Sequence, residues 1–392
     1  MYRATNMKRR FASISLLSMT VLGMAPAQPP APIAPAYEVD PAWPKALPNQ
    51  WILGAVAGVA VDAQDHVWIV HRPSTLQPNE TRSIWRAAPP VLEFDQAGNL
   101  LSSWGGPGAG YEWPDLEHGI LVDREHVWLG GGGEKDAQIL KFTRTGKFVL
   151  QIGRKGQGRG SNDVENLGGV ASLTIDREAN ELYVADGYVN HRVIVFDASS
   201  GKYKRHWGAY GKRPDDGYFT QAGEKLPSPF SGTVQHENKP SQYDPDGPPP
   251  PQFRIVHSVR IANDGLVYVC DRTNDRLQVF RKDGTFVKEA FIAKRTLGSG
   301  SVWDLSFSID PAQNFLIIND GTNQQIWLLR RDTLEVVGAF GQAGHSAGQF
   351  YGAHVQASDS RGNLFIGETY EGKRVQKFVY RGLRPAPAPL IK

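Results

Sequence analysis

Short apolar runs recur along the chain in groups of four, each run only a few residues long and bounded by Gly, Asn or Asp. The second run of each group pairs an aromatic or Leu with Val or Ile: Trp68-Ile69-Val70, Trp128-Leu129-Gly130, Tyr183-Val184-Ala185, Tyr268-Val269-Cys270, Leu316-Ile317-Ile318 and Phe365-Ile366-Gly367. The third reads apolar-x-x-Phe or close to it: Val91 to Phe94, Ile139 to Phe142, Val193 to Phe196, Leu277 to Phe280, Ile326 to Leu329 and Val375 to Phe378. The fourth often ends in aromatic-Gly, as in Trp104-Gly105, Trp207-Gly208 and Phe340-Gly341. Runs this short are strands, and strand-rich units repeating every ~40–50 residues with turn residues between them predict an all-β fold, a six-bladed β-propeller. The sixth unit lacks a good fourth strand. The segment Tyr37 to Trp43, which stands before the first unit, is the candidate to supply it and close the ring without a free sheet edge. Two insertions interrupt the period, one over roughly 73–88 and one over roughly 213–251.

Ahead of the repeats, Lys8, Arg9 and Arg10 precede an apolar run from Phe11 to Met24, and Ala25-Pro26-Ala27 follows as a small-x-small site. This is the three-part layout of a secretory signal peptide, and the apolar run is too short to span a bilayer. The expected organisation is a signal peptide over 1–27, a Pro-rich spacer over 28–36, the propeller over 37–383 and a Pro-rich tail over 384–392. Export to the periplasm or the medium follows from it, with no membrane span.

The leader changes the meaning of the charge. The 392 residues carry 43 Lys and Arg against 40 Asp and Glu, a net +3. Arg3, Lys8, Arg9 and Arg10 belong to the leader, which has no acid, so the rest of the chain holds 39 bases against 40 acids. A near-neutral chain lacks the clustered positive field of a nucleic-acid-binding protein, and no such partner is expected. The single cysteine, Cys270, excludes an internal disulfide and a cysteine metal cluster. The Gly-rich segments 106–110 and 153–160 lack the Lys-Ser/Thr of a phosphate loop and are read as turns.

Three of the ten histidines stand out by their place in the repeat. Aligned on the first strand, His118, His257 and His354 occupy one equivalent position in units two, four and six, where units one, three and five have Ala57, Ala171 and about Leu305. The first strand of a propeller blade lines the central channel, so three imidazoles on alternate blades converge on the axis. Three neutral His ligands with an open fourth position form a catalytic zinc site.

Asp186-Gly187-Tyr188-Val189-Asn190-His191-Arg192 and Asp271-Arg272-Thr273-Asn274-Asp275-Arg276 resemble the NHL-type repeat. The run from Leu53 to Asp62, continuing to His71-Arg72, is similar to the opening of the peptidyl-α-hydroxyglycine α-amidating lyase family. So are Glu117-His118-Gly119-Ile120, Ala185-Asp186-Gly187-Tyr188, Val256-His257-Ser258, Asp271-Arg272 and Ala353-His354, in order over roughly residues 50–380. The resemblance implies a six-bladed propeller that holds Zn2+ through His118, His257 and His354. It also implies Tyr188 beside the metal, and Arg72 and Arg272 in the active site. The activity implied is cleavage of the C–N bond of a carbinolamide to an amide and an aldehyde such as glyoxylate. Tyr188, if nearby cations depress its pKa, would take a proton, and Arg72 or Arg272, just after a second strand at the rim, would clamp the substrate carboxylate. The chain departs from the family in three places. Val355 follows His354 where the family has a carboxylate that helps hold a structural Ca2+, Gly352 replaces a Met, and Cys270 alone cannot make the family's disulfides. A monomer acting on a small-molecule or peptide substrate is expected. Two other readings stay open: a non-catalytic exported propeller that binds a protein or glycan, and a lactonase-type metal hydrolase, whose site would need axial acids where this chain has His.

Overall fold

The computed structural model describes residue 1, residues 31–218 and residues 243–391. The expected signal peptide and most of the second insertion lie outside the described residues. From Pro32 onward the strands form six four-stranded antiparallel sheets, which are the blades of a propeller. Blade 1 runs Ala55–Val61, Val67–Arg72, Val91–Phe94 and Leu100–Trp104, and blade 2 runs Glu117–Val122, His126–Gly131, Gln138–Thr143 and Phe148–Gly153. Blades 3 to 5 repeat the order, with inner strands Val170–Asp176, Val256–Ile261 and Asp304–Phe307. Blade 6 consists of Ala353–Ser358, Leu364–Glu368, Val375–Pro385 and, as its outer strand, Ile33–Asp40. Each inner strand neighbours the next in chain order and the sixth neighbours the first, so the inner strands make a closed ring.

The outer strand of blade 6 differs from the expected segment. It begins at Ile33, inside the stretch read as a spacer, and ends at Asp40, with pairs from Ile33–Pro385 to Asp40–Lys377. Trp43 takes no part in it. Its ring instead packs against Phe94 of blade 1 and Phe365 of blade 6. The third strand of blade 6 continues to Pro385, into the expected tail.

The apolar faces of neighbouring blades form the core. The cluster of Ala57, Trp68, Val91, Ile120 and Leu129 joins blades 1 and 2, and Tyr268, Leu305, Leu316 and Trp327 join blades 4 and 5. Burying such faces at roughly 25 cal/mol per Å² is the main force that holds the ring. Two buried ion pairs, Arg192–Asp186 and Arg276–Asp271, tie the second strand to the third in blades 3 and 4, which is the structural role of the acid and arginine in these two repeats. The first insertion forms a 3-10 turn at Pro73–Thr75 and a short strand, Arg86–Ala87, paired with Trp51–Ile52. No helix among the described residues is long and apolar enough to cross a membrane.

Candidate metal centre

The inner strands carry a bulge at one recurring place. In blades 1, 3, 4 and 6 the pairing with the second strand skips Ala57, Ala171, His257 and His354, and in blade 2 it skips His118 and Gly119. A bulged residue is released from the alternation of the sheet and its side chain is re-aimed. Here that sends three imidazoles together. Their ring centroids lie 5.2 Å (His118–His257), 4.8 Å (His118–His354) and 5.0 Å (His257–His354) apart, nearly an equilateral triangle, and their ligand atoms all lie within 4.8 Å of one another.

In blade 5 the paired strand starts just after the axial position, where the Trp303 N–H bonds to the Asn319 carbonyl (3.0 Å). Asp304 pairs with Asn319 and Leu305 with Ile318, so Leu305 faces the core between blades 4 and 5. The residue matching His257 is Trp303, which corrects the alignment made from sequence.

Each imidazole is oriented by the backbone of the following blade. His118 Nδ1 bonds to the Ala171 carbonyl (2.8 Å), His257 Nδ1 to the Trp303 carbonyl (2.7 Å) and His354 Nδ1 to the Val56 carbonyl (3.1 Å). A carbonyl only accepts, so Nδ1 carries the proton in all three rings and each Nε2 presents a lone pair. Burial drives all three well below the ordinary histidine pKa, helped by the neighbouring imidazoles and by the Arg72 and Arg272 charges. The rings are therefore neutral.

Tyr188 follows the second strand of blade 3. Gly187 before it passes so close to Val256 that a Cβ would lie 2.2 Å from the Val256 carbonyl oxygen. Its glycine lets the start of the blade 4 inner strand, which carries His257, pack against the Tyr188 turn. The Tyr188 hydroxyl lies 2.6 Å from His118 Nε2 and 2.9 Å from His257 Nε2. One phenolic proton serves only one of those lone pairs. Three nitrogen lone pairs and an oxygen thus converge with a single proton among them, and the set fits a tetrahedral cation with N/O ligands such as Zn2+.

The expected depression of the Tyr188 pKa is not found. Burial raises it to about 12 and outweighs the opposing pull of Arg272 and Arg72, so the hydroxyl keeps its proton at neutral pH. The arginines are also not exposed at a rim. Arg72 is the last residue of its strand, buried, and its Nε donates to the Glu117 carbonyl (2.8 Å) beside His118. Arg272 opens a 3-10 turn, is buried, and donates from Nε to the Ser299 carbonyl (2.8 Å). Tyr188 feels both guanidinium charges, so the structure brings all six sequence-predicted residues to one place.

Two residues of the site went unnoticed in the sequence. Trp303 lies between His257 and His354, and Tyr370 is edge-on to Trp303, with ring centroids 6.4 Å apart. No motif marks either, although a Trp just before the inner strand of blade 5, where the other odd units have Ala, was a visible irregularity. The Val355 side chain packs with Val56, Val59 and Phe365 and has no oxygen, so it does not fit the part of the carboxylate in the Ca2+ site that the resemblance implies. A second cluster, Asp62, His66 and Glu93, is bridged by the Arg144 guanidinium, which pairs with both carboxylates and offsets one of their two charges.

Comparison with known proteins agrees with the repeat. Residues 253–280, which include His257 and Arg272, match the NHL repeat. The chain is 27% identical over 259 residues to mouse NHL repeat-containing protein 3, covering 64% of this chain and 58% of that protein. It is 24% identical over 266 residues to Xenopus laevis peptidyl-glycine alpha-amidating monooxygenase B, and 26% over 265 residues to the mouse peptidyl-glycine alpha-amidating monooxygenase. These matches cover 60% and 62% of this chain but only 24% and 22% of those proteins. The chain thus spans well under two thirds of the length of the curated relatives it matches. A structural genomics protein of unknown function from Bacteroides thetaiotaomicron shares the fold, with a TM-score of 0.50 at 13% identity over 84% of this chain and 70% of that one. The chain is a six-bladed propeller with one segment matched to the NHL repeat and distant similarity to amidating monooxygenases.

Proposed function

We propose that the axial site binds Zn2+ through His118, His257 and His354 and cleaves a carbinolamide, an N-acyl α-hydroxy amine of the peptidyl-α-hydroxyglycine kind, to an amide and an aldehyde such as glyoxylate. The observation that carries this reading is the convergence of three Nε2 lone pairs and the Tyr188 oxygen around one proton. The distant similarity to amidating monooxygenases supports it.

In the reaction the hydroxyl loses its proton, its oxygen pair forms the C=O bond, the C–N pair leaves on nitrogen, and nitrogen gains a proton. No oxidant and no water is consumed. A bound zinc ion supplies Lewis acidity toward the hydroxyl. Tyr188, whose hydroxyl lies between His118 and His257, would pass a proton to the departing nitrogen as it receives the one from the hydroxyl. Arg72 and Arg272 supply two buried positive charges for a carboxylate on the same carbon.

Metal analysis coupled to a glyoxylate-release assay on an N-acyl-α-hydroxyglycine tests the proposal. About one zinc per chain and release that a chelator abolishes are expected. A protein that takes up no metal and stays inert with added zinc sinks it. A second reading, a non-catalytic propeller that binds a protein or glycan, is favoured by the match to NHL repeat-containing protein 3, whose name states no chemistry. It predicts that inert outcome.

A further inference from the structure

Five of the six blades place Ala or His at the axial position, and blade 5 places Trp303. Its side chain is 1% exposed and fixed on every side. The indole N–H donates to the Gly300 carbonyl (2.6 Å), and the ring edges meet His257 and His354 with centroids 5.8 and 5.7 Å apart. The backbone carbonyl takes the Nδ1 proton of His257. The ring face is turned to Arg272, whose guanidinium carbon lies 3.6 Å from the ring centroid. A cation stacked this closely is attracted by the ring quadrupole, most strongly away from water. Stacking uses the face of the guanidinium and leaves its in-plane N–H groups as donors. Nε is committed to Ser299, and the other edge reaches the Tyr188 side of the site.

We propose that Trp303 is a positioning residue that holds the Arg272 guanidinium edge-on to the axial centre, and that this pair makes the site select substrates with a carboxylate on the hydroxyl-bearing carbon. The assignment rests on the lyase reading above. An arginine has several rotatable bonds, and fixing its plane before substrate arrives lowers the entropy lost on carboxylate binding. Tyr370 lies edge-on to the same indole.

The test compares the full-length zinc-loaded protein with Trp303→Leu and Trp303→Phe on N-acetyl-α-hydroxyglycine and on its neutral carboxamide counterpart. Trp303→Leu is expected to lose about tenfold in kcat/KM on the carboxylate substrate, mainly through KM, and to change little on the carboxamide. Trp303→Phe, which keeps an aromatic face, should recover most of the loss. In an Arg272→Met background, Trp303→Leu should add nothing, because the two act as one unit. An equal loss on both substrates, or a loss that multiplies with that of Arg272→Met, overturns the assignment. Zinc content measured on each variant separates a damaged centre from a misdirected arginine. Where Trp303→Leu loses zinc, the Phe variant decides. If the wild type turns over neither substrate, the lyase reading fails, and titration with glyoxylate still decides the role of Trp303: weaker binding to Trp303→Leu than to wild type supports it, and equal binding overturns it.

Discussion

His118 donates its Nδ1 proton across a blade boundary to the carbonyl of Ala171, a residue whose own side chain does nothing at the site (2.8 Å). Each imidazole of blades 2, 4 and 6 finds its acceptor on the backbone of the next blade, so orientation of the three candidate ligands is a property of the ring. Such hydrogen bonds from the second nitrogen fix tautomer and direction in metal-bound imidazoles. Replacing His257 by Ala should therefore lower bound zinc from about one per chain to less than about a tenth, since two imidazoles are a poor zinc site. Circular dichroism should stay that of the wild type. Elemental analysis of the purified variant checks the first outcome, and retained zinc would count against the triad.

A second set of contacts ties the inner strands together. Arg260 of blade 4 donates to Ser172 Oγ of blade 3 (2.8 Å) and pairs with Asp304 of blade 5 (2.9 Å). Asp304 also accepts from Ser258 Oγ (2.6 Å) and from the Gln356 N–H of blade 6 (2.9 Å). Four blades meet in this network, in a chain where the side chain of Val355 has no oxygen for calcium. Asp304→Ala should cost about 3 kcal/mol, because it leaves a partly buried guanidinium and two buried donors without their acceptor. A denaturant titration measures the loss. Adding calcium to the wild type should not shift its midpoint.

The pH dependence of stability has a named source in His71. Its Nδ1 accepts from the Gly54 N–H and its Nε2 bonds to the Pro89 carbonyl, so the neutral ring is the one that fits. Burial lowers its pKa from 6.5 to about 4. Between those values the unfolded chain binds the proton and the folded one does not. Stability is therefore complete above about pH 6.5, falls as pH drops toward 4, and the loss from this group reaches about 3 kcal/mol. His206, also lowered to about 4 by burial, acts in the same direction. In His71→Gln the stability measured from pH 7 to pH 4 should fall less steeply than in the wild type.

Gly352 has φ +78°, and a Cβ there would lie 3.0 Å from the Tyr370 ring and 3.2 Å from the Thr369 carbonyl oxygen. Gly352→Ala should destabilise by about 1–2 kcal/mol through the left-handed backbone alone. It should also displace Tyr370, which a change in KM larger than the change in kcat would register.

The strand repeat and the histidine triad were legible because both follow the blade period, and the period survives in a single sequence. The position of Trp303 was not, because the paired strand of blade 5 begins only at Asp304 and an alignment by strand start slips there to Leu305. The sequence leaves the direction of the Tyr188 pKa conditional on its nearby cations. Sequence can name the two nearby arginines, but the larger effect is desolvation, which depends on how deeply the turn packs. The same packing buries Arg72 and Arg272, which by their place after a second strand looked like rim residues.

The pairing of Ile33–Asp40 with Val375–Pro385 has a mechanical consequence. Ile33 faces Pro385 and Asp40 faces Lys377, so the two chain directions enter the closure at the same end of the pair. Tension applied between Pro32 and Ala386 would load the hydrogen bonds one after another, as a zipper is opened, and not all at once in shear. The ring is thus weak against a pull on these two strand ends, whereas full thermal opening must break the whole pair together with its packing on blade 5.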